Sequence, residues 1–368
     1  MEYLQYAYEK IFGADATSSD KTQGTYQTPR KVVCFGNVLL DRIVKLEEPE
    51  LLQRYELKLG SKGEMDLEQL SNMATEAASS GSACLSNPGG SALNTVRILK
   101  QLGTDAQFFG AIGADKHGEL LHSILLERGI EARLQIVEDV HTGQCVCLMH
   151  NDNPTLYANV GASAHFSLEE LKRAASDDTQ SFLRPIERKQ ILYIEGFFLP
   201  QRFEVVDYIQ VHLVRERRYL ALNLSAPYIV RQHSDKMLEL AQRALFIFGN
   251  RQEFEELAKT AGCKTVDQLA MQLLQSGSQP KIILITNGAA GVQLATNYVA
   301  ELSPPGDLRF EDYRAQRADQ LVDATGAGDA FVAGFLHAWL EKRSLSECVR
   351  LASNVAAKVV TQVGCNLP

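Results

Sequence analysis

Nowhere do the 368 residues run through the roughly 20 consecutive apolar positions that a bilayer-spanning helix needs. The N-terminus also lacks the basic stretch and apolar core of a secretion signal, so the chain is expected in the cytosol or nucleus, away from membranes. Basic charge is not in excess either: 37 Lys and Arg stand against 45 Asp and Glu, a formal net charge of −8. A polyanion-binding surface is built from clustered cations, so nucleic acid is not an expected partner and a small molecule is. The seven cysteines (Cys34, Cys84, Cys145, Cys147, Cys263, Cys348 and Cys365) are odd in number, scattered and without metal-ligand spacing, which fits reduced thiols. Cys145 and Cys147 alternate as on one face of a strand, and are read as core packing rather than metal ligands.

What is present is enough apolar material, 45% of residues, for a full core. Residues 1–12 set Leu4, Tyr8, Ile11 and Phe12 at helical spacing, and 13–30 are rich in Ser, Thr, Gly, Gln and Asp, which predicts a short helix on a tether. From Lys31 onward, short β-branched and aromatic runs alternate with amphipathic segments, the pattern of βαβ units on a mainly parallel sheet. Strands are expected at 31–35, 106–109, 190–194, 219–224, 244–248 and 281–286. Capping boxes are expected at Ser167 with Glu170 and at Ser344 with Glu347. Residues 71–81 read as a helix end and a loop. Two intervals, 39–66 and 142–164, break the rhythm and are expected to form a small β lid over the carboxyl edge of the sheet, where open α/β folds bind ligands.

The segment Asp323-Ala324-Thr325-Gly326-Ala327-Gly328-Asp329-Ala330-Phe331 runs straight into an apolar helix. Backbone N–H groups at Gly326, Ala327 and Gly328 can converge on an anion there, helped by the partial positive charge of the helix start. Such donors, fixed beforehand, are what transfer of a phosphoryl group requires, and Asp329 at the lip is the candidate general base. Its alternative reading is a carboxylate that merely favours the helix start.

Three further motifs give this loop a context. Pro88-Gly89-Gly90-Ser91-Ala92-Leu93-Asn94 precedes it, and between them stand Phe248-Gly249-Asn250-Arg251-Gln252-Glu253 and Thr286-Asn287-Gly288-Ala289-Ala290-Gly291. In this order the motifs resemble those of the ribokinase-like (pfkB) family, over about residues 31–368. The resemblance implies a three-layer αβα fold with a small β lid, and Mg2+ and ATP as cofactors, with K+ as a further candidate. Gly36-Asn37-Val38-Leu39-Leu40-Asp41 and Asn223-Leu224-Ser225-Ala226-Pro227-Tyr228 are similar to the family's adenosine-phosphorylating members more than to its sugar kinases. Adenosine and ATP are therefore the implied partners, and the chain is expected to act as a monomer.

On that footing each residue has an expected role. Asn37, Asp41, Gly89, Gly90 and Asn94 would cradle a ribose, with Asp41 accepting from its hydroxyls. Phe197, Phe198 and Tyr228 would stack on a purine, unless they are core. Asn223, Thr286, Gly288 and Gly291 would accommodate ATP, the two glycines otherwise being hairpin glycines. Asn250 and Glu253 would order water around Mg2+, or else form a helix N-cap. By resemblance alone, Asp323 and Thr325 would hold a monovalent cation. Three segments depart from the family pattern. Pro154 stands where such kinases carry a lid arginine that reaches the phosphates, and Arg251 is the expected substitute. Lys62 and Glu64 occupy the segment 59–64, where the family's lid offers neutral and apolar side chains to the adenine, so they bear on base specificity, and Glu195 occupies a place where a small residue is usual. These departures leave open a different nucleoside or ribose-like sugar as acceptor, and a nucleoside-binding paralogue of low activity.

Overall fold

Alternation decides which way each central strand faces. In β1 (Lys31–Phe35) Val32 and Cys34 join one apolar cluster and Val33 and Phe35 another, and all four are fully buried, so both faces must be covered. The computed structural model, which describes residues 31–79, 84–151, 153–176, 190–214, 218–301 and 303–368, covers them with helices. The helix and tether expected before Lys31 lie outside the described residues.

Strand β1 sits between β5 (Asp105–Gly113) and β9 (Gln190–Glu195), parallel to both. Parallel neighbours continue outward: β6 (Glu131–Val137) beyond β5, and β10 (Arg218–Asn223), β11 (Phe246–Asn250) and β12 (Ile282–Thr286) beyond β9. Two antiparallel strands, β13 (Val292–Thr296) and β14 (Arg309–Tyr313), close one edge of this nine-stranded sheet. The six expected central strands are all present, within two residues at each end save for β5, which continues to Gly113.

One face is covered by α2 (Ser91–Gln101), α5 (Ala327–Leu340) and α6 (Leu345–Val359). The opposite face packs on α3 (Ser234–Arg243) and α4 (Arg251–Thr260), among others. Helix α5 is buried all round from Ala330 to Leu340, held between the sheet, α2 and α6.

A second sheet of five strands stands over the carboxyl edge, in the order β3 (Lys62–Glu64), β8 (Asn153–Asn159), β7 (Gly143–His150), β2 (Leu39–Lys45) and β4 (Cys84–Gly89). Four of its strands fall in the two expected intervals. The fifth, β4, has the sequence CLSNPG, with no apolar alternation to betray it; its pairing with β2 makes it a strand. Residues 71–81 are mostly helix, because α1 (Leu67–Ser79) turns Leu70, Met73, Ala74 and Ala77 against this sheet.

The capping box at Ser344 and Glu347 forms in full. The one at Ser167 is half formed: its hydroxyl accepts from the Glu170 N–H, while the Glu170 carboxylate turns to Arg173 and the Ser167 N–H to Gln135. An arginine within reach competes better for an exposed carboxylate than a backbone amide does.

Lys281, just before β12, is fully buried, and its Nζ donates to the carbonyls of Ala241, Gln242 and Ala244 at 3.3, 2.6 and 3.3 Å. These are the orphan carbonyls at the end of α3, so a cation there meets both their hydrogen-bonding capacity and the helix dipole. Replacing Lys281 by Met should lower unfolding stability by about 3 kcal/mol in urea titration, since three buried acceptors lose their donor. An unchanged midpoint would refute this assignment.

Candidate active site

Parallel strands deliver their last residues to one edge. Glu195, Asn223, Asn250 and Thr286 end β9, β10, β11 and β12, with Glu195 in register with Asn223 and Asn250 with Thr286. All four line one cavity of about 360 Å³, roofed by residues of β2, β3 and β8 and floored by the starts of α2 and α5.

Asp329 stands where those two helices meet. Its Oδ1 accepts from Ser91 Oγ at 2.7 Å and its Oδ2 from Asn94 Nδ2 at 3.0 Å, both donors coming from the first turn of α2. Burial raises its pKa to about 6, against the opposing pull of those two donors and of Lys62 and Arg97. The start of α5 has no side-chain cap, and Gly326 and Gly328 line the cavity beside Asp329. Gly326 sits at φ 77°, and a Cβ there would fall 2.4 Å from that of Cys365, so glycine is required. Ala327 stays off the wall, its N–H turned back to Ala324 at 3.3 Å.

Across the cavity, Asp41 of β2 presents a buried Oδ1 with no hydrogen-bond partner. Burial pushes its pKa up to about 7, with Arg97 opposing and Asp329 and Asp323 adding to the rise. Gly89 is off the wall but makes room for Asp41, because a Cβ there would lie 1.9 Å from that same oxygen. Gly90, at φ 107°, passes so close to Asn37 that a Cβ would meet its carbonyl oxygen at 2.1 Å.

Two expected ribose ligands are occupied elsewhere. Asn37 donates its Nδ2 to the Phe197 carbonyl and accepts from Arg202 on Oδ1, at 3.1 and 2.8 Å. Asn94 gives its Nδ2 to Asp329 and accepts from Arg97 Nη1 at 3.0 Å. Both border the cavity, but their amides hold the site together. The aromatic trio divides: Phe197 and Tyr228 form one wall, ring centroids 6.3 Å apart, whereas Phe198 is fully buried among Phe35, Phe166 and the guanidinium of Arg202. A single 3-10 turn over Gly196–Phe198 sends adjacent rings to opposite sides.

Asn250 and Glu253 form a full capping box at the start of α4, the N-cap alternative, while both still border the cavity. The Glu253 carboxylate accepts from the backbone N–H and Nδ2 of Asn250, both at 2.8 Å, which leaves lone pairs for water. Thr286 lines the wall, but Gly288 and Gly291 shape the β12–β13 hairpin, where the Gly291 N–H returns to the Gly288 carbonyl at 3.1 Å. Asp323 is fully buried, and its two oxygens accept from the N–H groups of Thr325 and Gly364 at 2.7 and 2.8 Å. These two bonds tie the loop to the C-terminal segment and, as at Glu253, leave lone pairs on the carboxylate; Thr325 borders the cavity, its Oγ1 3.7 Å from Cys147 Sγ. Cys145, expected as core, is buried but also borders the cavity. Among the described residues no three His, Cys, Asp or Glu group as a metal site.

Buried charged groups hold these residues: the sequence shows Glu195 only as a departure from the family pattern and does not single out Arg202 or Arg97. Glu195 accepts from the N–H groups of Asn37 and Ala92 at 3.2 and 2.6 Å, joining the β1 end to the start of α2; burial and then Asp329 raise its pKa to about 7. Arg202 donates to the carbonyls of Phe197, Phe198 and Ser163 and to Asn37. Arg97 fixes the Asn94 amide and reaches Pro88 and Asn366.

Residues 53–368 match the pfkB family of carbohydrate kinases. The chain is 27% identical to adenosine kinase 2 of Arabidopsis thaliana, over 91% of this chain and 94% of that protein. It is 24% identical to the adenosine kinase of Dictyostelium discoideum, over 92% and 96%. Among solved structures, Anopheles gambiae adenosine kinase in complex with P1,P4-di(adenosine-5) tetraphosphate superposes with a TM-score of 0.78 at 26% identity, over 92% of this chain and 98% of that one.

The Ser91 hydroxyl stabilises the ionised form of Asp329, so Ser91→Ala should raise that carboxyl's pKa above about 6 by roughly one unit. A carboxyl 13C NMR titration reads this directly, and an unmoved or lowered midpoint would contradict the assigned donor.

Proposed function

The chain belongs to the pfkB family of carbohydrate kinases, and from that membership we propose that it transfers the γ-phosphoryl group of ATP to the 5'-hydroxyl of adenosine, giving AMP and ADP. The observation that carries the reading is one cavity with two differently equipped carboxylates. Asp329 is held at an uncapped helix start, and Asp41 offers a buried oxygen without a partner. The similarity to adenosine kinases over nine-tenths of the chain supports adenosine as the acceptor. The mosquito enzyme's ligand, two adenosines joined by four phosphates, supports a cleft that takes acceptor and donor together.

In this reading the ribose hydroxyls donate to Asp41, and the purine lies on the wall made by Phe197 and Tyr228. The 5'-hydroxyl then faces Asp329. As its oxygen bonds to the γ-phosphorus and the bond from that phosphorus to the β,γ-bridging oxygen of ATP breaks, its proton passes to the Asp329 carboxylate. Charge on the transferring group meets the N–H groups of Gly326 and Gly328 and the α5 dipole. In this reading ATP lies toward Thr286, which borders the cavity at the end of β12. Mg2+, when bound with ATP, would neutralise phosphate charge, and Glu253 fits a role of accepting from its water rather than ligating it.

Asp329→Asn, which keeps the shape and removes the base, should lower kcat for adenosine by about 10^3-fold in a coupled ADP-release assay, with nucleoside binding retained. A protonated carboxyl cannot accept the 5' proton, so kcat/KM of the unaltered protein should fall about tenfold per unit below about pH 6. Full activity of the variant, or phosphorylation of sugars alone, would refute the reading.

A further inference from the structure

The cavity is rich in carboxyl groups, of which Asp41 and Glu195, with pKa values raised to about 7, are partly ionised near neutrality. Its described lining includes the carboxylates of Asp41, Glu64, Glu195, Glu253 and Asp329 and the ammonium of Lys62 as the one cation. A polyphosphate entering such a site is repelled by several like charges in surroundings that screen them poorly. The half-charge of one helix start does not offset that repulsion. Arg251, the expected substitute for an absent lid arginine, does not line the cavity, and Pro154, which does, carries no charge.

We propose that Lys62 binds the terminal phosphate of the donor nucleotide, as the built cation of the site. The inference rests on the kinase reading given above. Its geometry begins with strand periodicity: in β3, Lys62 and Glu64 share a face and both line the cavity. Gly63 between them borders the cavity with its backbone, and a Cβ there would point to the other face and meet the Tyr157 ring at 2.6 Å. That contact fixes which side faces the cavity, because a slip by one residue would drive a side chain into Tyr157.

The strand is also held in place. Lys62 pairs with Leu156 in β8, the Leu156 N–H donates to the Ser61 carbonyl at 3.0 Å, the Gly60 N–H to Thr155 Oγ1 at 2.9 Å, and the Ser61 and Tyr157 hydroxyls meet at 3.1 Å. Pro154 sits two residues before that pairing partner on β8, so a cation on β3 stands beside the uncharged position.

Charge effects locate the ammonium further. Lys62 lowers the pKa of both Asp329 and Glu253, whereas Glu64 acts on Tyr228, Arg202 and His233. Lys62 also lowers the pKa of Cys145 on β7, so the cation reaches the base, the start of α4 and that strand, while the neighbouring carboxylate acts on the aromatic side. Among the described residues Lys62 has no ion-pair partner, which leaves its donors for a ligand.

The test compares Lys62→Met and Lys62→Arg with the unaltered protein. Turnover is measured with adenosine and Mg-ATP, and inorganic tripolyphosphate binding by calorimetry. Lys62→Met should lower kcat by about 100-fold or more, leave KM for adenosine within about twofold, and weaken tripolyphosphate about tenfold. Lys62→Arg, which keeps the charge, should recover most of each loss. Unchanged turnover and unchanged tripolyphosphate affinity in Lys62→Met would overturn the inference. If the unaltered protein phosphorylates no nucleoside, the kinase reading falls, and tripolyphosphate binding alone then decides Lys62: dependence on its charge upholds the phosphate site and independence overturns it.

Discussion

Two helices begin at the same carboxylate, and the rest of the site depends on that meeting. The first turn of α2 donates to both oxygens of Asp329 through Ser91 and Asn94, and Asp329 itself belongs to the first turn of α5. Burial raises the pKa of this carboxyl, and the two donors, with Lys62 and Arg97, hold the rise to about 6. A carboxylate so poised is mostly ionised near neutrality, yet basic enough to take a proton from an alcohol as the alcohol becomes acidic in the transition state.

Several features that look unrelated serve this meeting. Gly89 and Gly90 let the chain pass from β4 into α2 beneath Asp41 and beside Asn37, at approaches no side chain permits. Arg97 accounts for the Asn94 carbonyl and so settles which way its amide points. Glu195 and Arg202, opposite charges buried in the same region, do not pair directly; Asn37 stands between them, its backbone N–H on one and its side-chain oxygen on the other. Each charge is satisfied by hydrogen bonds from fixed partners, which is how the interior tolerates both.

The parts of this architecture readable from sequence are those written locally. Central strands appear as short apolar runs because both their faces are buried, and the glycines before Asp329 mark a helix start because a Cβ at Gly326, besides its positive φ, would collide with Cys365. Strand β4 was invisible, since CLSNPG owes its conformation to β2 and not to its own residues. Phe197 and Phe198 could not be told apart, because one turn of 3-10 helix decides which ring faces the cavity. Asn37 and Asn94 border the predicted place but point their amides at Arg202 and Arg97, and the first of those partners lies 165 residues away. The two oxygens of Asp323 accept from backbone N–H groups, one of them on Gly364, a structural tie that the loop's own residues do not announce. Distance along the chain hid the Asn37–Arg202 and Asp323–Gly364 contacts, and the local ones, Asn94 with Arg97 among them, depend on side-chain directions that residue types do not give.

The account stands most directly on where a bound alcohol sits. A crystal structure with adenosine and a non-hydrolysable ATP analogue should place the 5'-oxygen about 2.6–3.2 Å from an Asp329 oxygen, with the terminal phosphate against the amides of Gly326 and Gly328. A 5'-oxygen turned away from Asp329, with both ligands seated in the cavity, would contradict it.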